Sequence, residues 1–220
     1  RLPPTILINF ISLFISIPLG LIFGTIAALN RNTWIDHVIS VLVIIFISVP
    51  SFIFGAVLQY TLTFAWPVFP TLYDSQAVTF AQKMHSLFLP IVALSLNPTA
   101  TIARYLRGEL IENISSEYLL LARTKGLTKA QATVRHALKN AMVPILPMLI
   151  SSFVGILGGS FIIEQIFSIP GVGQLYLRSI NLFDYDVFMM DGVFYTFISL
   201  LAGIVVDISY GFIDPRIRMG

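Results

Sequence analysis

Leu2-Pro-Pro-Thr-Ile-Leu-Ile-Asn-Phe-Ile-Ser-Leu-Phe-Ile-Ser-Ile-Pro-Leu-Gly-Leu-Ile-Phe-Gly-Thr-Ile-Ala-Ala-Leu-Asn30 contains no Asp, Glu, Lys or Arg. A helix of about 20 apolar residues crosses a bilayer core of roughly 30 Å, so this stretch is long enough to span lipid. Three more uncharged runs follow, at residues 37–73, 84–103 and 140–163. A shorter one, residues 192–206, lies between Asp191 and Asp207 and can cross if a carboxylate sits at the interface or against protein. The expected fold is therefore all-α and polytopic, with membrane helices at about residues 5–29, 38–64, 86–108, 140–165 and 188–211. The second run exceeds one crossing. Its tail, Trp66-Pro-Val-Phe-Pro-Thr-Leu-Tyr73, suits an interfacial loop with its two prolines and aromatic rings.

Composition agrees. Of the 220 residues, 56% are hydrophobic and 11% charged, against about 25% charged in soluble domains. That disfavours a water-soluble enzyme, and 13 basic against 11 acidic residues disfavours nucleic-acid binding. With no cysteine, disulfides, thiolate nucleophiles and Cys-ligated zinc are excluded. His37, His85 and His136 lack metal-ligand spacing, no His-Glu-x-x-His occurs, and Gly158-Gly-Ser160 is not a nucleophile elbow. Asn113-Ile-Ser115 fits a glycosylation pattern by chance, because it falls on the basic side.

Basic residues concentrate on the cytoplasmic side of membrane proteins. Arg31, the seven Lys and Arg of residues 104–139, Arg216 and Arg218 share one side under the five-helix topology, leaving Arg1, Lys83 and Arg178 opposite. This predicts a cytoplasmic block at about residues 109–139 and a cytoplasmic C-terminus. Arg1 is then external and not preceded by an initiating Met, so the expectation is an N-terminally incomplete chain lacking a first membrane helix and any external domain. Ser12, Ser16, Gly20, Gly24 and Ala28 recur every fourth residue, as do Ser151, Gly155 and Gly159. Such stripes allow close helix approach, either to hold a bundle or to slide in a conformational cycle. Pro18 should bend the first helix.

The block holds Ser115-Ser-Glu-Tyr-Leu-Leu-Leu-Ala-Arg-Thr-Lys-Gly126, then Leu127-Thr-Lys-Ala-Gln-Ala-Thr-Val-Arg-His-Ala-Leu-Lys-Asn140. Ser115 or Ser116 can cap a helix, Glu117 complements its dipole and Gly126 can end it in the left-handed conformation. Thr128 can cap a second helix. The first has an apolar face of Tyr118, Leu119, Leu121 and Ala122 beside Arg123 and Lys125, suited to an anionic leaflet or to a groove on a partner protein.

This unit resembles the EAA-type loop of permease subunits in ATP-binding-cassette (ABC) importers. Glu117-Tyr118, Ala122-Arg123, Lys125-Gly126-Leu127 and His136-Ala-Leu-x-Asn-Ala141 resemble the oligopeptide and dipeptide branch, in particular the B-type Opp/Ami-like permeases of Gram-positive bacteria. Strict EAA spacing would place Glu-Ala-Ala at 120–122, where this chain has Leu120-Leu121-Ala122. Leu29-Asn-Arg31 with Asp36, Ser48-Val-Pro-Ser-Phe52 with Gly55, Glu164-Gln-Ile-Phe-Ser-Ile-Pro-Gly-Val-Gly173, and Asp207 with Asp214-Pro-Arg216-Ile-Arg218 are similar to further segments of the family.

The resemblance implies a type I ABC importer transmembrane domain translocating oligopeptides across the bacterial cytoplasmic membrane. Its partners would be a second homologous permease, two cytoplasmic ATPases that bind the ATP, and an extracellular substrate-binding lipoprotein. The chain itself has no Gly-x-x-x-x-Gly-Lys-Ser/Thr phosphate loop. Residues 117–127 would be the coupling helix, with Tyr118, Leu121 and Ala122 filling a cleft on the ATPase. Arg123, Lys125 and Arg135 would pair with acids around it, with Gly126, Leu127 and His136 completing the loop. The external turn, about residues 168–186, breaks at Pro170, Gly171 and Gly173, and residues 172–181 can form a short amphipathic segment that contacts the binding protein, gates the path or merely ends a helix. Glu164, paired with Arg178 or capped by backbone, and Asp207, paired with Arg216 or Arg31 and sharing a helix face with Asp214, are expected to be structural. Dipeptide or nickel import by an ABC importer remains an alternative. So does an ion-coupled carrier using Glu164 and Asp207, or a scaffold whose block only docks partners.

Overall fold

A computed structural model describes residues 1–213. The chain opens with α1 (Leu2–Leu29), followed by α2 (Trp34–Ser48), α3 (Ser51–Gln59) and α4 (Phe80–Ile114). A block of short helices comes next: α5 (Glu117–Thr124), α6 (Lys129–Ala132) and α7 (Leu138–Ala141). Then come α8 (Ile145–Val154), α9 (Phe161–Ile166), α10 (Val172–Asn181) and α11 (Tyr185–Ile213). No strand occurs among the described residues. Four helical segments are long and apolar enough to cross a membrane, and a bent pair adds a fifth.

The central contact joins α1 and α4, which run parallel. Ser12 Oγ donates to the Ile91 carbonyl at 3.1 Å and Ser16 Oγ to the Ser95 carbonyl at 3.0 Å, each across 79 residues of sequence. Gly20 and Gly24 continue the same register. A Cβ at Gly20 would stand 2.7 Å from Ile102 Cβ, and one at Gly24 would stand 2.8 Å from the Ala103 carbonyl oxygen. The first small-residue stripe is thus the face on which two backbones meet, with each serine satisfied by its neighbour's main chain. α1 passes through Pro18 as one helix.

Apolar side chains gather at both ends of this pair. Leu106, Leu110, Leu119, Ala132, Ala137 and Ile145 form one core beneath the helical block. Ile8, Leu87, Leu89, Ile163, Phe167 and Ile169 form the other, at the end where α1 and α4 begin.

Two expected helices are broken. The single crossing at 38–64 is instead α2 and α3 meeting at 97°. Pro50 has no amide hydrogen for the helix ladder and holds Val49 extended, so the chain turns there. α3 then widens into a π-helical stretch, Tyr60–Ala65, before the irregular segment that begins at Trp66. The expected helix at 140–165 is interrupted by a 3₁₀ turn, Gly155–Gly158, and by Gly159 in the left-handed region at φ 67°. Ile145–Ile166 remains apolar enough to count as one crossing. The turn rotates the second stripe off a common face, so Ser151 and Gly155 are exposed, and of its two glycines only Gly159 would bring a Cβ against a neighbour. That stripe makes no continuous helix seam among the described residues.

Gly24→Val is expected to destabilise the protein by about 1–3 kcal/mol through overpacking of the α1/α4 contact. Gly203→Ala, where a Cβ meets nothing within 4 Å, is expected to be neutral. Thermal unfolding of the two variants in the same detergent measures the difference.

Candidate functional site

In the helical block between α4 and α8, the fully inserted side chain of α5 is Leu119. Leu119 is 4% exposed and packs into the core with Leu110, Ala132 and Ala137. Its neighbours on α5 face outward: Tyr118, Leu120 and Leu121 are exposed, the two leucines by about 60%. Glu117 and Lys125 are exposed with them. Tyr118 Oη donates to Asn113 Oδ1 on the last turn of α4, which holds the ring beside that helix.

α5 ends at Thr124, three residues short of the expected 127. Gly126 takes φ 94°, and the Leu127 amide donates back to the Ala122 carbonyl at 3.4 Å, the six-to-one bond of a Schellman motif. Leu127 and Ala122 therefore turn toward the protein's own core rather than outward. Thr128 caps the next helix as expected: its hydroxyl accepts from the Gln131 amide at 3.2 Å, while Gln131 Oε1 accepts from the Thr128 amide at 3.1 Å. A π-helical turn, Thr133–Ala137, follows. Its extra residue leaves Val134, Arg135 and His136 exposed in succession between the buried Thr133 and Ala137. Asp214 and Arg216, and the side chain of Arg123, lie outside the described residues.

At the opposite end, Glu164 is fully buried. Its Oε1 accepts from Thr5 Oγ1 at 2.9 Å and from the Ser160 amide at 3.4 Å, and its Oε2 accepts from the Gln174 amide at 2.9 Å. Thr5 Oγ1 in turn accepts from the Val172 amide at 3.0 Å. One carboxylate thus ties α1, α9 and the first turn of α10 together. The glycines beside it follow from this packing. A Cβ on Gly171 would overlap both the Glu164 carboxylate and the Thr5 hydroxyl, and one on Gly173 would stand 2.9 Å from the Phe161 amide nitrogen. Pro170 precedes α10, which covers the expected amphipathic segment. Glu164 has no ion-pair partner among the described residues, so Arg178 does not neutralise it. Backbone amides and Thr5 satisfy it instead. Asp207 is exposed and does not pair with Arg31, which is also exposed.

Comparison with known proteins gives this arrangement a family. Residues 20–219 match the profile of the binding-protein-dependent transport system inner membrane component. The chain belongs to this family. Among curated members, the dipeptide transport system permease protein DppB of Bacillus subtilis is 37% identical over 99% of this chain and 68% of its own length. DppB of Lactococcus lactis subsp. cremoris is 36% identical over all of this chain and 70% of its own length. A crystal structure of an amino acid ABC transporter with histidines superposes at a TM-score of 0.60 and 18% identity, covering 94% of this chain and 89% of that one. The likeness extends the family assignment to the fold: a multi-pass, all-α membrane domain of the ABC transporter type.

In this family member the strongest ion pair is one that sequence reasoning missed. Arg107 on α4 donates from Nε to Asp36 Oδ1 at 2.6 Å and from its terminal nitrogen to Oδ2 at 2.8 Å. Asp36 is 1% exposed and also accepts from the Asn32 amide at 3.0 Å. The signal was present: a carboxylate in the first turn of an otherwise apolar helix calls for a cation when buried, and Arg107 is the basic residue one turn after Arg104. The spacing of 71 residues hides the match.

Arg107→Ala is expected to cost about 3 kcal/mol, because it leaves the buried Asp36 carboxylate without its cation, and the double variant Asp36→Ala/Arg107→Ala is expected to cost less. Denaturation midpoints of both report the sign. Glu164→Ala strands the Thr5 hydroxyl and the Gln174 amide; limited trypsin digestion at Arg178 should become several-fold faster, whereas digestion at Lys83 stays unchanged.

Proposed function

We propose that this chain is a permease subunit of an ATP-driven importer that moves peptides across the bacterial cytoplasmic membrane. The observation that carries this reading is its similarity over 99% of its length to a dipeptide permease at 37% identity. The arrangement of the helical block supports the coupling role: Leu119 roots α5 in the core while Tyr118, Leu120 and Leu121 project from the block as an unshared apolar surface. These three residues form the centre of the contact with a cytoplasmic ATPase, and Glu117, Lys125, Arg135 and His136 supply its polar rim. The ATP is bound by that partner. The sequence has no phosphate loop of its own, so force enters through this contact. A second permease and an extracellular substrate-binding lipoprotein complete the complex.

The mechanism follows from how α5 is joined to the bundle. Leu119 and the Schellman turn at Gly126 fix α5 to the lower core, and α4 leads from that core into the α1 contact. Movement of the ATPases together or apart therefore acts on α4 as a rigid lever, and the bundle rocks between inward-open and outward-open arrangements. The excess of basic residues on the side of the block supports a cytoplasmic position for it and for the C-terminus.

Gly126→Val tests the coupling role. No neighbour lies within 4 Å of a Cβ there, but a β-branched residue resists φ 94°. The expected result is at least a tenfold loss of peptide uptake and of peptide-stimulated ATP hydrolysis, with normal membrane insertion. Unchanged uptake with ATPase still bound would sink the assignment. Uptake that survives ATP depletion but stops with a protonophore would instead establish an ion-coupled carrier.

A further inference from the structure

A second buried carboxylate lies near α10, and nothing in the fold uses it. Asp191 on α11 is 8% exposed, and its Oδ2 has no hydrogen-bond partner. The buried hydroxyl of Tyr195, one helical turn on, has none either. Residues at i−3, i and i+4 share one face of a helix, which places Asp191 between Phe188 and Tyr195. Both of those rings pack on Tyr176 of α10, at centroid distances of 5.2 and 5.8 Å, and Phe161 of α9 meets Tyr176 at 5.1 Å and Tyr195 at 5.3 Å. The only ion pair among the described residues is Arg107 with Asp36, so no cation among them answers Asp191.

The two carboxylates differ in kind. Glu164 is satisfied by a hydroxyl and backbone amides, as a structural group should be. Asp191 offers an acceptor and no donor, next to a hydroxyl that can donate or accept and beside ring faces that attract positive charge. The ligand complementary to that set is a primary ammonium. A buried ionisable side chain without a partner, inside a membrane helix, is costly to keep and marks a transport path.

We propose that Asp191, with Tyr195 and Tyr176, receives the positively charged amino group of the solute during translocation. The proposal rests on the peptide reading above and names the part of the peptide that this chain recognises: its free amino terminus. In this conformation Asp191 is buried and α10 and α11 are joined by the Tyr176 ring contacts, so capture belongs to the state in which these helices part.

The test uses the complete importer in proteoliposomes, with its ATPases and binding protein, and compares uptake of trialanine with uptake of N-acetyl-trialanine. The same binding protein serves every variant, so its own selectivity cancels. Asp191→Asn is expected to lower trialanine uptake at least tenfold and to reduce discrimination between the two peptides at least threefold relative to the wild type. Asp191→Glu, which keeps the charge, should retain at least a third of wild-type uptake, and both variants should copurify with the other subunits as the wild type does. Unchanged discrimination in Asp191→Asn overturns the proposal. Loss of a copurifying subunit also overturns it and makes Asp191 an assembly contact. If the wild-type importer takes up neither peptide, it is the peptide reading that fails, and this inference falls with it.

Discussion

Parallel packing of α1 on α4 is the constraint on which the other contacts depend. Lipid offers helices no hydrophobic reason to associate, so the pair is held by close backbone approach and by serine hydroxyls that reach the opposite main chain. Residues 12, 16, 20 and 24 have to be small because they face positions one constant register away on α4. Two parallel helices also require that the chain between them return to the starting side, and the bent α2/α3 pair with its following loop does this. At one end the pair carries the core that roots Leu119; at the other it carries Thr5, which meets Glu164.

Charged groups within this apolar frame are treated in three ways. Asp36 is neutralised by a bidentate guanidinium, which locks α2 to α4 near the helical block. Glu164 is solvated by a hydroxyl and backbone amides, so it pins α10 without a countercharge. Asp191 has neither kind of partner. The first two are elements of architecture. The third lies on α11 beside the contacts of Tyr176 with Phe188 and Tyr195, and it is the group to which the proposal assigns a role toward the solute.

Much of the fold was legible in the residues. Uncharged runs gave the crossings, Gly126 and Thr128 gave the break and the cap in the helical block, and Pro170 with Gly171 and Gly173 gave the start of α10 within a residue or two. The errors have local causes. Pro50 sits in an apolar run long enough to hide a right-angled bend, and Gly158-Gly159 interrupts what composition alone reads as one helix. On α5, periodicity showed an apolar stripe but not its division. Leu119 and Ala122 turn inward, while Tyr118, Leu120 and Leu121 stay out, because the position of α4 decides which side of a short amphipathic helix is covered.

The sequence by itself determined that this protein lives in a membrane, roughly where its helices lie and which family motifs its block carries, because those properties depend on neighbours within a few turns of chain. Only the tertiary structure decided the roles of its carboxylates. Asp36 finds its cation 71 residues away, Glu164 finds its hydroxyl 159 residues away, and Asp191 finds none among the described residues. A buried charge is defined by what surrounds it in space, and lipid supplies no solvent to make that distinction irrelevant.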